Sequence, residues 1–393
     1  MTATDLGWDE WVAELEGDYA LWLTAVLPRW FPLPLAAHHK RFWDHVWAIE
    51  AGLRRPPYLA IWARGGAKSS SLEAACVALG ARRRRRYGLW VNRTQDQAND
   101  HVANVAAMLE SPELAAFYPD MAERAVGKYG NSKGWSRTRL RTRQGFTLDA
   151  IGLDTAARGV KLEDQRPDLI IVEDLDEEFD TAAFVRKLEG LLTKKILQAG
   201  SADLCILGGQ NLIHENGIFG RVAFSKADYL RTAIVDGPIP AVLDPEVGRR
   251  DGIDTLVGGV PTWVGQDLDA CQAKIDEVGL SAWLSEAQHE TEPPPGGMFS
   301  HLEWEDINVS EPPPMVRTAC WCDPAVTDKD QSDANGIAID GLGVDGRLYA
   351  LFSWEQRSSP VGTLTVAVQR AVEYGCTYVG VETDQGGDTW ESV

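Results

Sequence analysis

The chain has 393 residues, 44% of them hydrophobic, which is enough for two cores and too much for one ordinary domain. No apolar run approaches the roughly 18 residues of a membrane span, and the acidic, Trp-broken start is no signal peptide. A formal net charge of −20 excludes broad, nonspecific coating of nucleic acid and leaves room only for a local basic track; the six cysteines form no C-x-x-C pair, so reduced thiols, no zinc site and a cytoplasmic location are expected.

Residues 1–50 read as helices, with Trp8, Trp11, Val12 and Leu15 on one face and Phe42, Trp43, Val46 and Trp47 on another, separated by Pro28, Pro32 and Pro34. The many Trp here read as core of a helical layer, and His38, His39 and Lys40 as solvated helix residues within reach of a ligand. Tyr58 to Trp62 is strand-like, followed by a loop with Gly65 and Gly66, then Lys68 and Ser69, then a helical pattern at Leu72, Ala75, Cys76 and Leu79. Strand, glycine loop, Lys-Ser and helix form the context of a phosphate-binding loop. Backbone N–H groups at the helix start cradle phosphates, the Lys meets the β/γ oxygens, and the hydroxyl holds Mg²⁺. Trp62 and Ala67 stand where the common pattern has Gly, and Arg64 precedes Lys68 by four residues.

This R-x-x-x-K-[ST] loop resembles the variant found in large subunits of phage terminases, the ATP-driven DNA-packaging motors. The resemblance implies that Arg64, Gly65, Gly66, Ala67, Lys68, Ser69 and Ser70 bind ATP, with the helical layer closing over the adenine. Arg82 to Arg86 follow, either a solvated helix C-terminus or a contact to DNA phosphates. Gly88 to Asn92 reads as a strand and Gln95 to Leu109 as a helix, similar to the second strand–helix unit of such terminases. Ser136 to Arg143 alternates with period two and would place Arg137, Arg139, Arg141 and Arg143 on one face, against an anion or carboxylates. Phe146 to Ile151 pairs back as a strand. The loop Gly152 to Gly159 holds Arg158, which the resemblance makes a γ-phosphate arginine and which otherwise is an ordinary loop cation.

Leu169 to Val172 is a short apolar run that delivers Glu173 and Asp174 at its end, as a buried parallel strand would. ATP hydrolysis needs one carboxylate at the Mg²⁺ shell and one near the attacking water. Direct register gives Glu173 the first slot and Asp174 the second; a slip of one gives Asp174 the metal and Asp176 or Glu177 the water. Leu204 to Asn211 resembles the terminase coupling strand, with Gln210 and Asn211 sensing the γ-phosphate. A helix is expected over Thr181 to Lys195 and another over Ser281 to His289; residues 215–290 otherwise carry little pattern.

Two proline clusters, at 293–295 and 312–314, mark a boundary. Beyond it, Val316 to Cys322, Gly336 to Leu342 and Leu348 to Trp354 read as strands, Pro360 to Tyr374 as a helix and Tyr378 to Glu382 as a fourth strand. That order is the order of an RNase H-like nuclease. Asp323 and Glu382 would share metal ions, Mg²⁺ or Mn²⁺, for two-metal phosphodiester hydrolysis, with Asp333 and Asp384 as outer ligands. Terminase nucleases use a further acid from a later element, so the nuclease is expected to be incomplete as given.

The expected architecture is α/β: a helical extension over 1–50, a P-loop (ASCE-type) ATPase domain with a mainly parallel sheet over 51–300, a Pro-rich linker over 301–314 and a partial RNase H-like nuclease domain over 315–393. The resemblance implies double-stranded DNA, a portal protein, a small terminase subunit and a homo-oligomeric ring as partners, no membrane, and the host cell cytoplasm as location. A different P-loop helicase or translocase would lack the acids at 323 and 382; a non-catalytic prophage remnant would bind nucleotide or DNA without turnover.

Overall fold

The computed structural model describes residues 8–154, 165–178, 180–250, 252–290, 307–323 and 334–382. The chain divides into two compact units, Met1–Pro294 and Pro295–Val393.

In the first unit, three helices, α1 (Trp8–Gly17), α2 (Tyr19–Val26) and α3 (Ala37–Trp47), precede an eight-stranded sheet. Its strands are β1 (Tyr58–Trp62), β2 (Tyr87–Asn92), β3 (Trp135–Ser136), β4 (Arg139–Arg141), β5 (Thr147–Gly152), β6 (Leu169–Glu173), β7 (Cys205–Gln210) and β8 (Ile234–Ile239), in the order β3-β4-β5-β2-β6-β7-β1-β8. From β5 to β8 all pairs are parallel; β3 and β4 are antiparallel. The central strands β1, β2, β6 and β7 are buried along their whole length, which is why they read as unbroken apolar runs. Strand alternation sends Tyr58, Ala60 and Trp62 to the face covered by α2, α3, α4 (Lys68–Ala81) and α5 (Gln95–Leu109), and Leu59 to the face covered by α8 (Ala182–Leu191) and α9 (Ile218–Ala223). Short helices α6 (Pro112–Phe117) and α7 (Pro119–Ala122) lead from α5 toward β3. A hairpin of β9 (Val242–Arg250) and β10 (Ile253–Pro261) and the helices α10 (Leu268–Val278) and α11 (Leu280–Gln288) share a third core around Ala241, Leu256, Cys271 and Trp283.

The first arginine cluster is not simply solvated, and the second meets the carboxylates that its sequence pattern allowed for. Arg82 lies buried with its guanidinium 3.8 Å from the centroid of the Trp47 ring. Arg85 is 1% exposed and donates to the carbonyls of Glu50 and Leu53, both at 2.8 Å. Positive φ at Arg83 turns the chain after α4, and Arg82 and Arg85 end up buried; Arg83 and Arg86 alone of the five are exposed. The stretch 136–143 is no single strand either. A two-residue turn at Arg137 and Thr138 joins β3 to β4, and each arginine on it with a partner shown meets a carboxylate: Arg137 Asp100, Arg139 Asp149, Arg143 Asp120 and Glu123. Like charges that close together are offset by these acids. His38 and His39, expected in solvent, are buried, because α3 packs its histidine edge on Trp62.

In the second unit, β11 (Met315–Asp323), β12 (Asn335–Gly343) and β13 (Leu348–Gln356) form an antiparallel meander, and β14 (Val379–Val381) lies parallel to β11 in the order β13-β12-β11-β14. A helix over Pro360–Glu373 covers one face through Ala367 and Ala371, against Cys320, Cys322, Ile337 and Ile339. Among the described residues, no helix is long and apolar enough to cross a membrane.

Candidate active site

The loop after β1 is held from two sides. Gly66 N–H closes a turn on the carbonyl of Ala63 at 3.0 Å, and Gly65 has φ +83°, a conformation that suits glycine. His39 Nε2, from α3, lies 3.0 Å from the Gly66 carbonyl oxygen; Gln266 Nε2, from the turn Val264–Gln266, donates to the Arg64 carbonyl at 2.7 Å. A Cβ at Gly65 would come within 2.9 Å of that Gln266 nitrogen. Ala67 caps α4 in the left-handed region at φ 58°, and Lys68 is the first residue of the helix. The start of α4 therefore faces a cavity of about 610 Å³ with Gly65, Ala67, Lys68, Ser69 and Ser70 on its wall. Free N–H groups and the positive end of the helix dipole make that wall an anion site. Lys68 is buried and donates to the Ala63 carbonyl at 3.2 Å; burial holds its pKa below the ordinary lysine value, against the pull of Asp174 and Glu173.

The tip of β6 lies opposite. Glu173 is fully buried, and Ser69 Oγ donates to its Oε1. Burial pushes the Glu173 carboxyl up to about 7. Asp174 stands in the left-handed region at φ 45° and lines the same cavity as Lys68. The acids of the one-residue slip are engaged elsewhere: Asp176 accepts from the amides of Ile218 and Phe219 at 2.6 and 2.8 Å, and Glu177 pairs with Arg93 at 3.1 Å. Arg93 also grips Asp180 with two hydrogen bonds, at 2.6 and 2.8 Å, which fixes the segment leaving β6.

Gln210 and Asn211 part company, because consecutive residues leave a strand on opposite sides. Asn211 lines the cavity and donates to Glu286 Oε2 on α11. Gln210 is not on the cavity wall. It is buried, accepts from the amides of Leu175 and Asp176 at 2.9 and 3.2 Å, and donates to the Asp176 carbonyl at 2.9 Å. It joins β7 to the turn after Asp174, a backbone clamp in place of the expected phosphate contact. Glu286 Oε2 also accepts from Arg64 Nε at 2.7 Å, so one carboxylate holds the loop arginine and the β7 asparagine together.

Ser69 and Glu173 supply hard oxygen donors, and Glu173 Oε2 is buried with no aligned hydrogen-bond donor among the described residues. That chemistry fits Mg²⁺, which takes one or two protein oxygens and completes its shell with water and phosphate. No group of three or more His, Cys, Asp and Glu able to cage a metal occurs among the described residues. The apolar end of the cavity is formed by Trp30, Phe31, Leu33, Leu35 and Trp263, planar and aliphatic surface of the kind a base stacks on.

In the second unit, Asp323 ends β11 and Glu382 directly follows β14. Cys322 pairs with Val381, and Glu382 N–H donates to the Cys322 carbonyl at 2.9 Å, so both exposed acids leave the same end of adjacent strands. Arg158, Asp333 and Asp384 lie outside the described residues.

Three residues that contact the side chains of this site escape sequence reasoning: Glu73, His101 and Glu286. His101 Nδ1 lies 2.8 Å from Glu73 Oε1, and Nε2 lies 3.1 Å from Glu173 Oε2. One signal was available, since His101 falls inside the apolar stripe Ala98, Val102, Val105 of α5, where a polar residue needs a partner. Glu286 gave none, being 222 residues from Arg64.

No family model matches the sequence, and no curated protein matches it. Solved structures do resemble the chain. The N-terminal domain of the DNA packaging ATPase from bacteriophage phi29 aligns over 52% of this chain and 96% of its own, at 15% identity and a TM-score of 0.33. The large terminase of a thermophilic bacteriophage aligns over 91% of this chain and 79% of its own, at 11% identity and 0.34. The phi29 viral genome packaging motor assembly aligns over 85% and 93%, at 11% and 0.29; these are likenesses of fold alone.

Proposed function

We propose that this chain is an ATPase of the large terminase type, a motor subunit that uses ATP hydrolysis to move double-stranded DNA into a viral procapsid. The observation that carries the reading is the convergence of Lys68, Ser69 and Asp174 on one cavity wall at the start of α4, with the buried Glu173 hydrogen-bonded to Ser69 behind it. In this reading the α4 amides and Lys68 bind the β and γ phosphates. Ser69 and Glu173 hold Mg²⁺, which when bound neutralises charge developing on the phosphoryl oxygens. Asp174 orients the attacking water and takes its proton. Arg64, once freed from Glu286, adds a second cation beside the γ-phosphate. Arg158 is proposed as a further γ-phosphate arginine.

The test is ATP turnover with purified protein. Lys68→Ala should abolish hydrolysis while the melting temperature stays close to wild type, because the lysine lines a cavity wall and fills no core. Asp174→Asn should keep Mg²⁺-nucleotide binding and lose turnover; Glu173→Gln should weaken binding as well. Wild-type turnover in Lys68→Ala removes the motor reading.

A second activity is proposed on a separate observation, the exit of Asp323 and Glu382 from the same end of β11 and β14. Two carboxylates so placed suit a metal-dependent endonuclease of RNase H-like type, with Asp333 and Asp384 as further ligands for Mg²⁺ or Mn²⁺. Cleavage of plasmid DNA with Mn²⁺ that disappears in Asp323→Ala supports it; cleavage unaffected by that change refutes it. A portal protein, a small terminase subunit, a homo-oligomeric ring and the host cytoplasm belong to the same proposal.

A further inference from the structure

We propose that His101 is a positioning residue of the nucleotide site, which fixes the Glu173 carboxylate toward the metal ion that a bound nucleotide carries. The inference rests on the nucleotide-hydrolysing reading of the cavity and goes beyond it, because no motif places a histidine there.

Four side chains from three elements close a ring. Ser69 and Glu73 stand four residues apart on α4 and so share a helix face. Ser69 Oγ donates to Glu173 Oε1 at the tip of β6. On the other side, His101 of α5 sets Nε2 3.1 Å from Glu173 Oε2 and Nδ1 2.8 Å from Glu73 Oε1. The imidazole is itself held. Trp90 of β2 stacks on it with ring centroids 4.8 Å apart and planes 21° off parallel, and Asn104, on the same helix, donates to the same Glu73 oxygen at 2.8 Å.

Glu173 needs such a stop. It is fully buried, so no water replaces a missing partner, and the last torsion of a glutamate is broad and barely restrained by its own chemistry. Ser69 fixes one oxygen; the other has His101 beside it and no aligned hydrogen-bond donor among the described residues. With His101 in place the carboxylate plane is set by contacts on both sides, and the oxygen facing Ser69 stays at the start of α4, where the phosphates and their ion would lie. Without it the carboxylate can swing toward Glu73, which repels it. Outer partners of this kind set the orientation of a metal-binding carboxylate, and their loss commonly lowers metal affinity by about 10- to 100-fold.

A plain core histidine satisfied by Glu73 would account for the Nδ1 contact and for burial. It predicts lower stability in a variant and nothing specific to the ion, so the two accounts separate on a magnesium titration.

The experiment uses the full chain and a fluorescent ATP analogue, with binding followed as Mg²⁺ is raised and again in EDTA. His101→Ala should raise the half-saturating Mg²⁺ about tenfold or more while affinity in EDTA stays within about twofold. His101→Gln, whose amide can reach and donate to Glu173 Oε2, should fall between the two and serves if the alanine variant does not fold. Glu73→Gln keeps an acceptor for Nδ1 and should shift the requirement less than His101→Ala. An unchanged Mg²⁺ requirement in the His101 variants, with Lys68→Ala abolishing binding, overturns the role of His101 and leaves the nucleotide reading standing. Equal weakening with and without Mg²⁺ overturns it too. If Lys68→Ala binds the analogue like wild type, the nucleotide reading falls and the role of His101 with it.

Discussion

Two residues on the cavity wall, Ala67 and Asp174, hold left-handed backbone angles that non-glycine residues seldom adopt. At Ala67 the cost has a simple origin, a Cβ crowding the carbonyl where the common loop pattern has glycine, worth about 1 to 2 kcal/mol. Ala67→Gly removes it but adds freedom to the unfolded chain, worth about 0.4 to 1 kcal/mol. The urea midpoint of Ala67→Gly should therefore be equal to or slightly above wild type. Ala67→Val, with a branched Cβ in the same angles, should lose roughly 2 kcal/mol. A clear loss of stability in the glycine variant would mean that the Ala67 methyl makes a packing contact worth more than the strain. Asp174 carries the same kind of strain at the place where the attacking water would stand. Asp174 lines the cavity while Glu173, the residue before it, is buried against Ser69, so here the strain sits within the site.

At the scale of single elements, α3 is the helix whose chemistry differs most from its sequence pattern. Burial holds His38 down to about 3 and His45 down to about 4, so both are neutral in the folded chain near neutral pH. Unfolding returns them to an ordinary histidine value near 6.5. Between that value and about 4, the unfolded chain binds protons that the folded chain refuses, so these two residues lower stability as pH falls. His289, held down to about 4, acts in the same direction. Asp176, pushed up to about 6, and Glu173, up to about 7, act in the opposite one, since the folded chain holds their protons more tightly. Opposed sets flatten the wild-type curve, and a double His38→Gln, His45→Gln variant exposes the histidine share. Its unfolding free energy between pH 6 and 4.5 should tilt toward acid stability, relative to wild type, by roughly 2 to 3 kcal/mol per pH unit. Urea titrations at several pH values read this directly, and parallel curves would refute it. The helix end after α4 gives a companion prediction. Arg85 supplies its guanidinium to the Glu50 and Leu53 carbonyls, so Arg85→Met should cost about 2 to 3 kcal/mol, whereas exposed Arg83→Ala should stay within about 0.5 kcal/mol. Equal effects at the two positions would mean that Arg85 is not anchored as described.

Across the whole molecule, local chemistry was legible and distant partnership was not. β1 over Tyr58–Trp62 and α4 from Lys68 fall where the apolar run, the two glycines and the helical stripe place them, because each signal lies within a few residues of the element it sets. β9 and β10 went unread because their burial patterns show no clean alternation: the hairpin stands largely in solvent, with Ile253, Val257 and Val260 exposed. The arginine run at 82–86 misled because its fate is decided by Trp47 and two carbonyls more than thirty residues away. The division into units is legible for a different reason. Among the described residues, three hydrophobic cores draw on residues between Val12 and Ala287, and the fourth on residues between Cys320 and Val381. Every strand of the eight-stranded sheet and every described residue lining the cavity at the start of α4 belongs to the first set. A unit with its own cores and its own sheet is expected to fold alone. Residues 1–294 produced alone should therefore unfold in one cooperative urea transition and bind the fluorescent ATP analogue with an affinity within about threefold of the full chain, since no binding group has been removed. An aggregated or non-cooperative fragment, or one that folds and fails to bind, would show that the second unit completes the first.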